Sequence, residues 1–202
     1  MKISGEMVEL RRLRINDLEM VRRWRTSDAI RSRMEYQGEI TPEMQHNWFS
    51  TINNSVNYFF IIHVHDQAIG LIQLQNINFE DSVAESGLFI GEPSFWGSPA
   101  PFAASLPLLD FGINLMGIRE ISAKVSAVNQ QAIDYNKHLG FTIDHSLGGG
   151  FLKMSISKSR FDKAIHNQKA FDRFKNAYTL LGFDQPGVSQ GIFIRQSLSP
   201  SV

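Results

Sequence analysis

The spacing of apolar positions changes several times along this chain, and each change marks a new kind of element. Residues 8–13 (VELRRL) read as a short strand. Asn16 or Asp17 then caps a predicted helix that runs through Leu18, Val21 and Trp24, with arginines on its other side. Ser27 caps a second, shorter helix whose apolar positions are Ile30 and Met34. Thr41-Pro42-Glu43 combines a hydroxyl cap, a proline at the first helical position and an acid near the positive helix end, and predicts a helix to about Ile52. The pattern then turns to β. Residues 58–64 (YFFIIHV) and 69–74 (IGLIQL) form a predicted antiparallel hairpin joined by Asp66-Gln67, and residues 84–90 (AESGLFI) a third strand after a polar turn. A Gly- and Pro-dense stretch, GEPSFWGSPAP, leads into an apolar helix over residues 102–116. Residues 120–127 (EISAKVSA) alternate as a strand with one covered face, residues 130–139 are helical, and strands open at Gly140 and at Phe151.

Beyond Ser157 the period is helical again: Phe161, Ile165, Phe171, Phe174, Tyr178 and Leu181 form a stripe with charged residues between them. This stripe must be buried on the domain or across a homodimer interface. Residues 182–202 carry little regular signal beyond the apolar run at Ile192–Ile194. The chain is therefore expected to be α/β with a mixed sheet (α+β), not doubly wound. Two units are expected: a main domain over residues 1–157 and a C-terminal helical extension and tail over residues 158–202.

Composition narrows the functions. At 202 residues the chain suits one domain, and its 43% hydrophobic and 20% charged content is that of an ordinary globular protein. Lysine plus arginine equals aspartate plus glutamate, so the net charge is zero, which argues against nucleic-acid or membrane-surface partners. The absence of cysteine excludes a disulfide scaffold, a thiol nucleophile and thiolate-held metals. No apolar run approaches the length of a membrane span and no signal-peptide core follows Met1, so a cytoplasmic location is expected. His63 and His65 stand at a metal-compatible spacing but have no third ligand nearby in sequence, and strand packing is the expected role; no metal is anticipated.

The segment from Asn129 through Ala132, Ile133, Asn136, Lys137, Leu139 and Gly140 to Phe141 resembles the GNAT acetyltransferase signature N-x-x-A-I-x-x-Y-x-K-x-G-F. Upstream, Glu85-Ser-Gly87-Leu-Phe-Ile90 and Phe95-Trp96-Gly97 look like that superfamily's fourth strand and the entry to its cofactor loop. The element order matches over roughly residues 7–156. In the first third, Leu13, Asp17, Trp24-Arg25, Ile30, Met34, Ile40 to Glu43, His46 and Trp48-Phe49 are similar to sugar-nucleotide amine acetyltransferases such as those of pseudaminic acid biosynthesis. A more distant similarity is to enzymes that acetylate protein N-termini or polyamines.

The resemblance implies an acyltransferase that moves an acetyl group from acetyl-CoA to a primary amine, with an amino-sugar nucleotide as the first candidate acceptor. It implies two parallel strands that splay apart, with the pantetheine arm paired to the backbone of Leu88, Phe89 and Ile90. The N–H of Phe89 or Ile90 would polarise the thioester carbonyl. Trp96, Gly97, Ser98, Ala100, Phe102 and Asn129 complete the expected cofactor contacts. Glu85 is the candidate general base, against the reading of a solvated strand-end carboxylate. His46 and Tyr36 are candidate substrate contacts, with a structural or surface histidine as the competing reading of His46. The aromatic residues Trp24 and Trp48 are expected in the core.

Two departures from the pattern bear on chemistry. The register that usually holds an acidic tyrosine here holds Asn136, and Tyr135 sits one residue early, about 100° around the helix. Asparagine cannot supply a proton, but a thiolate leaves with little help and Asn136 can still hydrogen-bond it. The phosphate loop, normally Q/R-x-x-G-x-G/A, reads Trp96-Gly97-Ser98-Pro99-Ala100-Pro101, and proline has no N–H to give an anion. Pro107 is expected to bend the following helix or delay its start to near Leu106. These departures keep two alternatives open: a degenerate domain that binds a ligand or partner without turnover, and an acyltransferase whose donor is not free CoA.

Overall fold

A computed structural model describes residues 1–167, 179–181 and 193–194. Within them ten strands form one sheet. They are β1 (Lys2–Ser4), β2 (Glu9–Arg12), β3 (Tyr58–Val64), β4 (Gln67–Asn78), β5 (Val83–Ile90), β6 (Glu120–Ser126), β7 (Thr142–Gly148), β8 (Phe151–Ser157), β9 (Thr179–Leu181) and β10 (Phe193–Ile194). The spatial order is β10-β9-β1-β2-β3-β4-β5-β6-β8-β7. Every neighbouring pair is antiparallel except β5–β6, which is parallel.

Alternation along the strands builds two cores, because successive side chains point to opposite faces. Phe59 and Ile61 of β3 join Leu71 of β4 beneath the helices α1 (Leu18–Thr26), α2 (Asp28–Arg31) and α3 (Pro42–Ile52), with Leu18, Val21, Trp24 and Ile30 buried there. Phe60 and Ile62 face the other way, into the larger core under α4 (Ala100–Asp110), α5 (Gln130–Leu139) and α6 (Lys158–Asn167).

Local chemistry sets the element boundaries. Thr41 Oγ1 accepts the Met44 N–H at 3.2 Å with Pro42 at the first helical position, as the sequence signals predicted. Asp17 accepts the Arg14 N–H at 2.8 Å and is gripped by both terminal nitrogens of Arg11, at 3.0 and 2.7 Å, so one carboxylate ties α1 to β2. Ser27 precedes α2 but donates its hydroxyl back to the Trp24 carbonyl (2.7 Å) instead of capping. Gly91 lies under the indole of Trp24, where a β-carbon would come within 2.2 Å of the ring, so only glycine admits this packing.

Several expectations need correction. Strand β1 was not visible in the hydrophobic pattern, because three residues are too few to show a period. The hairpin between β3 and β4 turns on His65 and Asp66, with φ of 45° and 61°, one residue earlier than expected. Helix α4 starts at Ala100, ahead of the expected position, and accommodates Pro107 in its interior before widening into a π-turn over Phe111–Leu115. Only Phe161 and Ile165 of the C-terminal stripe lie where side chains are described: Phe161 is fully buried in the larger core and Ile165 packs against it. Leu181 belongs to β9, paired with β1, and not to a continuous helix. Phe171, Phe174 and Tyr178 fall outside the described residues.

Candidate active site

Strands β5 and β6 pair in register from Val83↔Glu120 to Ser86↔Ala123, and there the pairing stops. Each strand continues: β5 to Ile90, still paired with β4, and β6 to Ser126, still paired with β8. The two therefore diverge from a shared base, and main-chain groups above Ser86 face a gap. Their direction follows from alternation. The Gly91 N–H donates to Ile69 O in β4 at 2.8 Å, so Phe89 and Gly87 also turn their N–H and C=O toward β4. Leu88 and Ile90 turn theirs into the gap. Trp96 Nε1 reaches across its mouth and donates to the Ile90 carbonyl at 3.1 Å. The N–H groups of Leu88 and Ile90 are thus the donors available to an acyl carbonyl. Phe89, an equal candidate from the sequence, is excluded by strand parity, which only the pairing register reveals.

A cavity of about 910 Å³ occupies this gap and reaches both faces of the sheet. On the α1–α3 face its floor carries Glu85 and Gly87 of β5 opposite Gln75 and Gln73 of β4, with Phe89 set edge-on to Trp24, their ring centroids 6.4 Å apart. Glu85 is exposed, and its Oε2 accepts from Gln75 Nε2 (3.3 Å) and Asn76 Nδ2 (3.1 Å). These bonds fix the carboxylate at the base of the splay, beside the last paired residues. Tyr36 lines the same side, its hydroxyl donating to the Glu39 carbonyl at 3.2 Å. His46 does not take part: it is exposed on α3 and away from the cavity walls, because α3 turns Trp48 and Phe49, not His46, toward the sheet.

On the opposite face α4 and α5 contribute Ser105, Tyr135 and Asn136. Asn136 borders the cavity as the motif register required, and its Nδ2 donates to the Ala132 carbonyl at 2.8 Å, which leaves Oδ1 and one N–H for a ligand. Tyr135 is placed differently from a proton donor. Its hydroxyl donates to the Pro101 carbonyl at 3.0 Å and accepts from the Ser105 hydroxyl at 2.6 Å. Burial pushes its phenol well above the ordinary range. Tyr135 is a strut between α5 and the first turns of α4.

The loop before α4 is poor in anion donors. Ser98 N–H is spent on Phe95 O (3.2 Å), and Ala100 N–H on Ser98 Oγ (3.3 Å), while Pro99 and Pro101 have none. Gly97 borders the cavity, and its N–H makes no hydrogen bond among the described residues. Ser98, Ala100 and Phe102, all expected as cofactor contacts, do not line the cavity; Ala100 is buried in the core and Phe102 packs against it. Asn129 does line it, although its Oδ1 is committed to capping α5 through the Ala132 N–H at 3.1 Å.

The structure also brings in charged residues to which the sequence assigned no role in the site. Arg25, Arg33, Glu35 and Lys124 are, with Glu85, the charged groups lining the cavity. Lys124 Nζ meets Glu35 Oε1 at 2.7 Å and lies over the Phe151 ring, so a loop after α2 is tied to β6 across the α1–α3 side. In an arginine-rich helix such residues read as a solvated face, and no local pattern marks which of them turns inward. His63 keeps its place in β3 with a buried, unpartnered Nδ1, whereas His65 lies in the turn, so the two do not share a strand face.

A mixed sheet with one parallel pair splayed over a through-going cavity defines the class of the GNAT acyltransferases, and comparison with known proteins agrees. Residues 8–142 match the model of the acetyltransferase (GNAT) domain family. The chain belongs to that family and is an N-acetyltransferase. Among curated proteins it is similar to the spermidine N(1)-acetyltransferase of Escherichia coli (strain K12), with 24% identity over 145 residues, 71% of this chain and 77% of that protein. Among solved structures it resembles spermidine N-acetyltransferase from Vibrio cholerae in complex with CoA and spermine, with a TM-score of 0.70 and 20% identity over 78% of this chain and 99% of that one. A domain from Methanocaldococcus jannaschii DSM 2661 matches at a TM-score of 0.67 and 19% identity, over 76% and 99% of the two chains. The first two are spermidine acetyltransferases, so these comparisons do not support the sugar-nucleotide branch expected from the first third of the chain. Among the described residues no helix is long and apolar enough to cross a membrane.

Proposed function

We propose that this chain transfers an acetyl group from acetyl-CoA to a primary amine by direct attack. The observation that carries this reading is the termination of β5–β6 pairing at Ser86 and Ala123, which turns the N–H groups of Leu88 and Ile90 into a cavity lined also by Glu85 and Asn136. Backbone N–H groups held in a strand act on a developing oxyanion without reorganising. The amine enters from the α1–α3 face, reaches the carbonyl as the free base and gives up its proton toward Glu85, directly or through water. Its nitrogen bonds to the carbonyl carbon, the C–S bond breaks, and the sulfur leaves as a thiolate beside Asn136. No tyrosine proton is needed, since a thiol's ordinary acidity makes the thiolate an adequate leaving group.

The charges around the cavity bear on the acceptor. Arg25, Arg33 and Lys124 face Glu35 and Glu85, and Glu35 is engaged by Lys124. A polycation gains little in such a lining, whereas an amine that carries anionic groups, such as an amino-sugar nucleotide, is matched by it. The experiment is a thiol-release assay with acetyl-CoA and three acceptor classes: amino-sugar nucleotides, polyamines and peptide N-termini. Turnover with the first class is the expected result. Preferred turnover of spermidine would overturn the acceptor assignment, and no turnover with any amine would overturn the activity.

A further inference from the structure

Arg25 sits in the last turn of α1, directly after the buried Trp24, and lines the cavity half-buried. It makes no hydrogen bond or ion pair among the described residues, and burial lowers its guanidinium from the ordinary value. The carboxylates that could answer it are committed elsewhere. Glu35 is paired with Lys124, Glu85 accepts from Gln75 and Asn76, and Glu92 accepts the Trp24 Nε1–H at 2.9 Å. A half-buried cation without a counter-ion has lost part of its hydration with nothing in return, so a ligand anion entering the cavity is the natural partner. Arg33, beyond α2, is exposed, lines the same cavity and lies 5.8 Å above the Trp96 ring, with no carboxylate partner among the described residues. Trp96 in turn caps the splay at Ile90 and leads into the donor-poor loop of Gly97 to Pro101. The cavity that this donor-poor loop borders at Gly97 therefore carries two guanidinium groups with no carboxylate partner among the described residues.

We infer that Arg25 and Arg33 form a phosphoryl-binding subsite of this cavity. This inference rests on the acetyl-transfer reading for its meaning but not for its test. Two guanidinium forks suit phosphoryl oxygens, each offering paired N–H groups in a fixed plane. The phosphoryl group belongs either to the diphosphate of the acyl donor or to a phosphorylated acceptor. If it is the donor's, the arginines supply anion contacts that Pro99 and Pro101 cannot.

The probe is inorganic pyrophosphate, titrated calorimetrically into the full chain and, in parallel, into Arg25→Gln, Arg33→Gln and Arg25→Lys. Pyrophosphate should bind the natural chain, and each glutamine variant should bind about tenfold or more weakly, the loss expected for one charge-assisted hydrogen bond. Arg25→Lys keeps a cation at the helix end while removing the fork, so it separates anion binding from helix stabilisation, and it should also bind less tightly than the natural chain. Competition then identifies the source. Displacement of pyrophosphate by CoA but not by S-acetylpantetheine assigns the subsite to the donor, and simultaneous binding of CoA and pyrophosphate assigns it to the acceptor. No pyrophosphate binding, or equal binding by the natural chain and all three variants, overturns the inference. Absence of acetyl transfer with pyrophosphate binding intact would overturn the activity and leave the subsite standing.

Discussion

Tyr135→Phe removes a single oxygen from the interface between α5 and α4, and its effect separates a strut from a proton donor. In the native structure that oxygen donates to the Pro101 carbonyl and pairs with Ser105 Oγ, and Ser105 is itself buried. The variant leaves a buried hydroxyl without its partner, which costs about 1–3 kcal/mol by comparison with other unsatisfied buried groups. Ser105 lies four residues after Pro101, so its hydroxyl can turn back to that carbonyl, which favours the lower half of the range. For a chain of this length the loss corresponds to a fall in melting temperature of about 2–12 °C. Turnover at saturating substrates should stay within about twofold of the natural enzyme, since the phenol is buried, tethered and raised far from neutral acidity. For the same reason the pH profile of kcat should show no limb that disappears with the substitution. Calorimetric melting and steady-state thiol release check both halves. A fall in kcat of a hundredfold or more with little change in melting temperature would refute the strut and make Tyr135 the acid.

Three further outcomes follow from the same structure. Asn136→Ala should lower kcat by about tenfold or less, the worth of one neutral hydrogen bond, with the KM for acetyl-CoA little changed; a null effect in steady-state assays would remove Asn136 from the site. Phe161→Ala empties a fully buried position in the core between α6 and the sheet, so a loss of about 3–5 kcal/mol is expected in denaturant unfolding. A loss below 1 kcal/mol would show that α6 is not part of the fold. Burial, and then the nearby charge of Arg11, lower the His63 imidazole below its ordinary value, so the unfolded chain binds a proton that the folded one resists. Stability from this group is complete above the ordinary histidine value near pH 6.5 and is lost as pH falls from there through the lowered folded value. His63→Gln should therefore flatten the decline in melting temperature between about pH 7 and pH 5; an unchanged slope would place the acid sensitivity elsewhere.

What the sequence determined by itself is what depends on local order. The cap at Thr41, the alternation of residues 120–127 and the Asn129–Phe141 segment all act within a few residues, where period and turn chemistry are explicit. The family resemblance, and with it the splay, was legible for the same reason, since β5, β6 and α5 follow one another in recognisable order. The division of labour inside the site was decided only by tertiary structure. Whether the N–H of Phe89 or of Ile90 faces the gap is a matter of strand parity, fixed by the pairing of Gly91 with Ile69. Tyr135 becomes a strut because α4 passes within hydrogen-bonding distance, although 30 residues separate it from Ser105. His46 is turned outward because Trp48 and Phe49 take the buried side of α3. Arg25 is charged like its helical neighbours, and its exceptional position comes from what it lacks: the carboxylates around it are already bound to other partners, which no reading of adjacent residues can show.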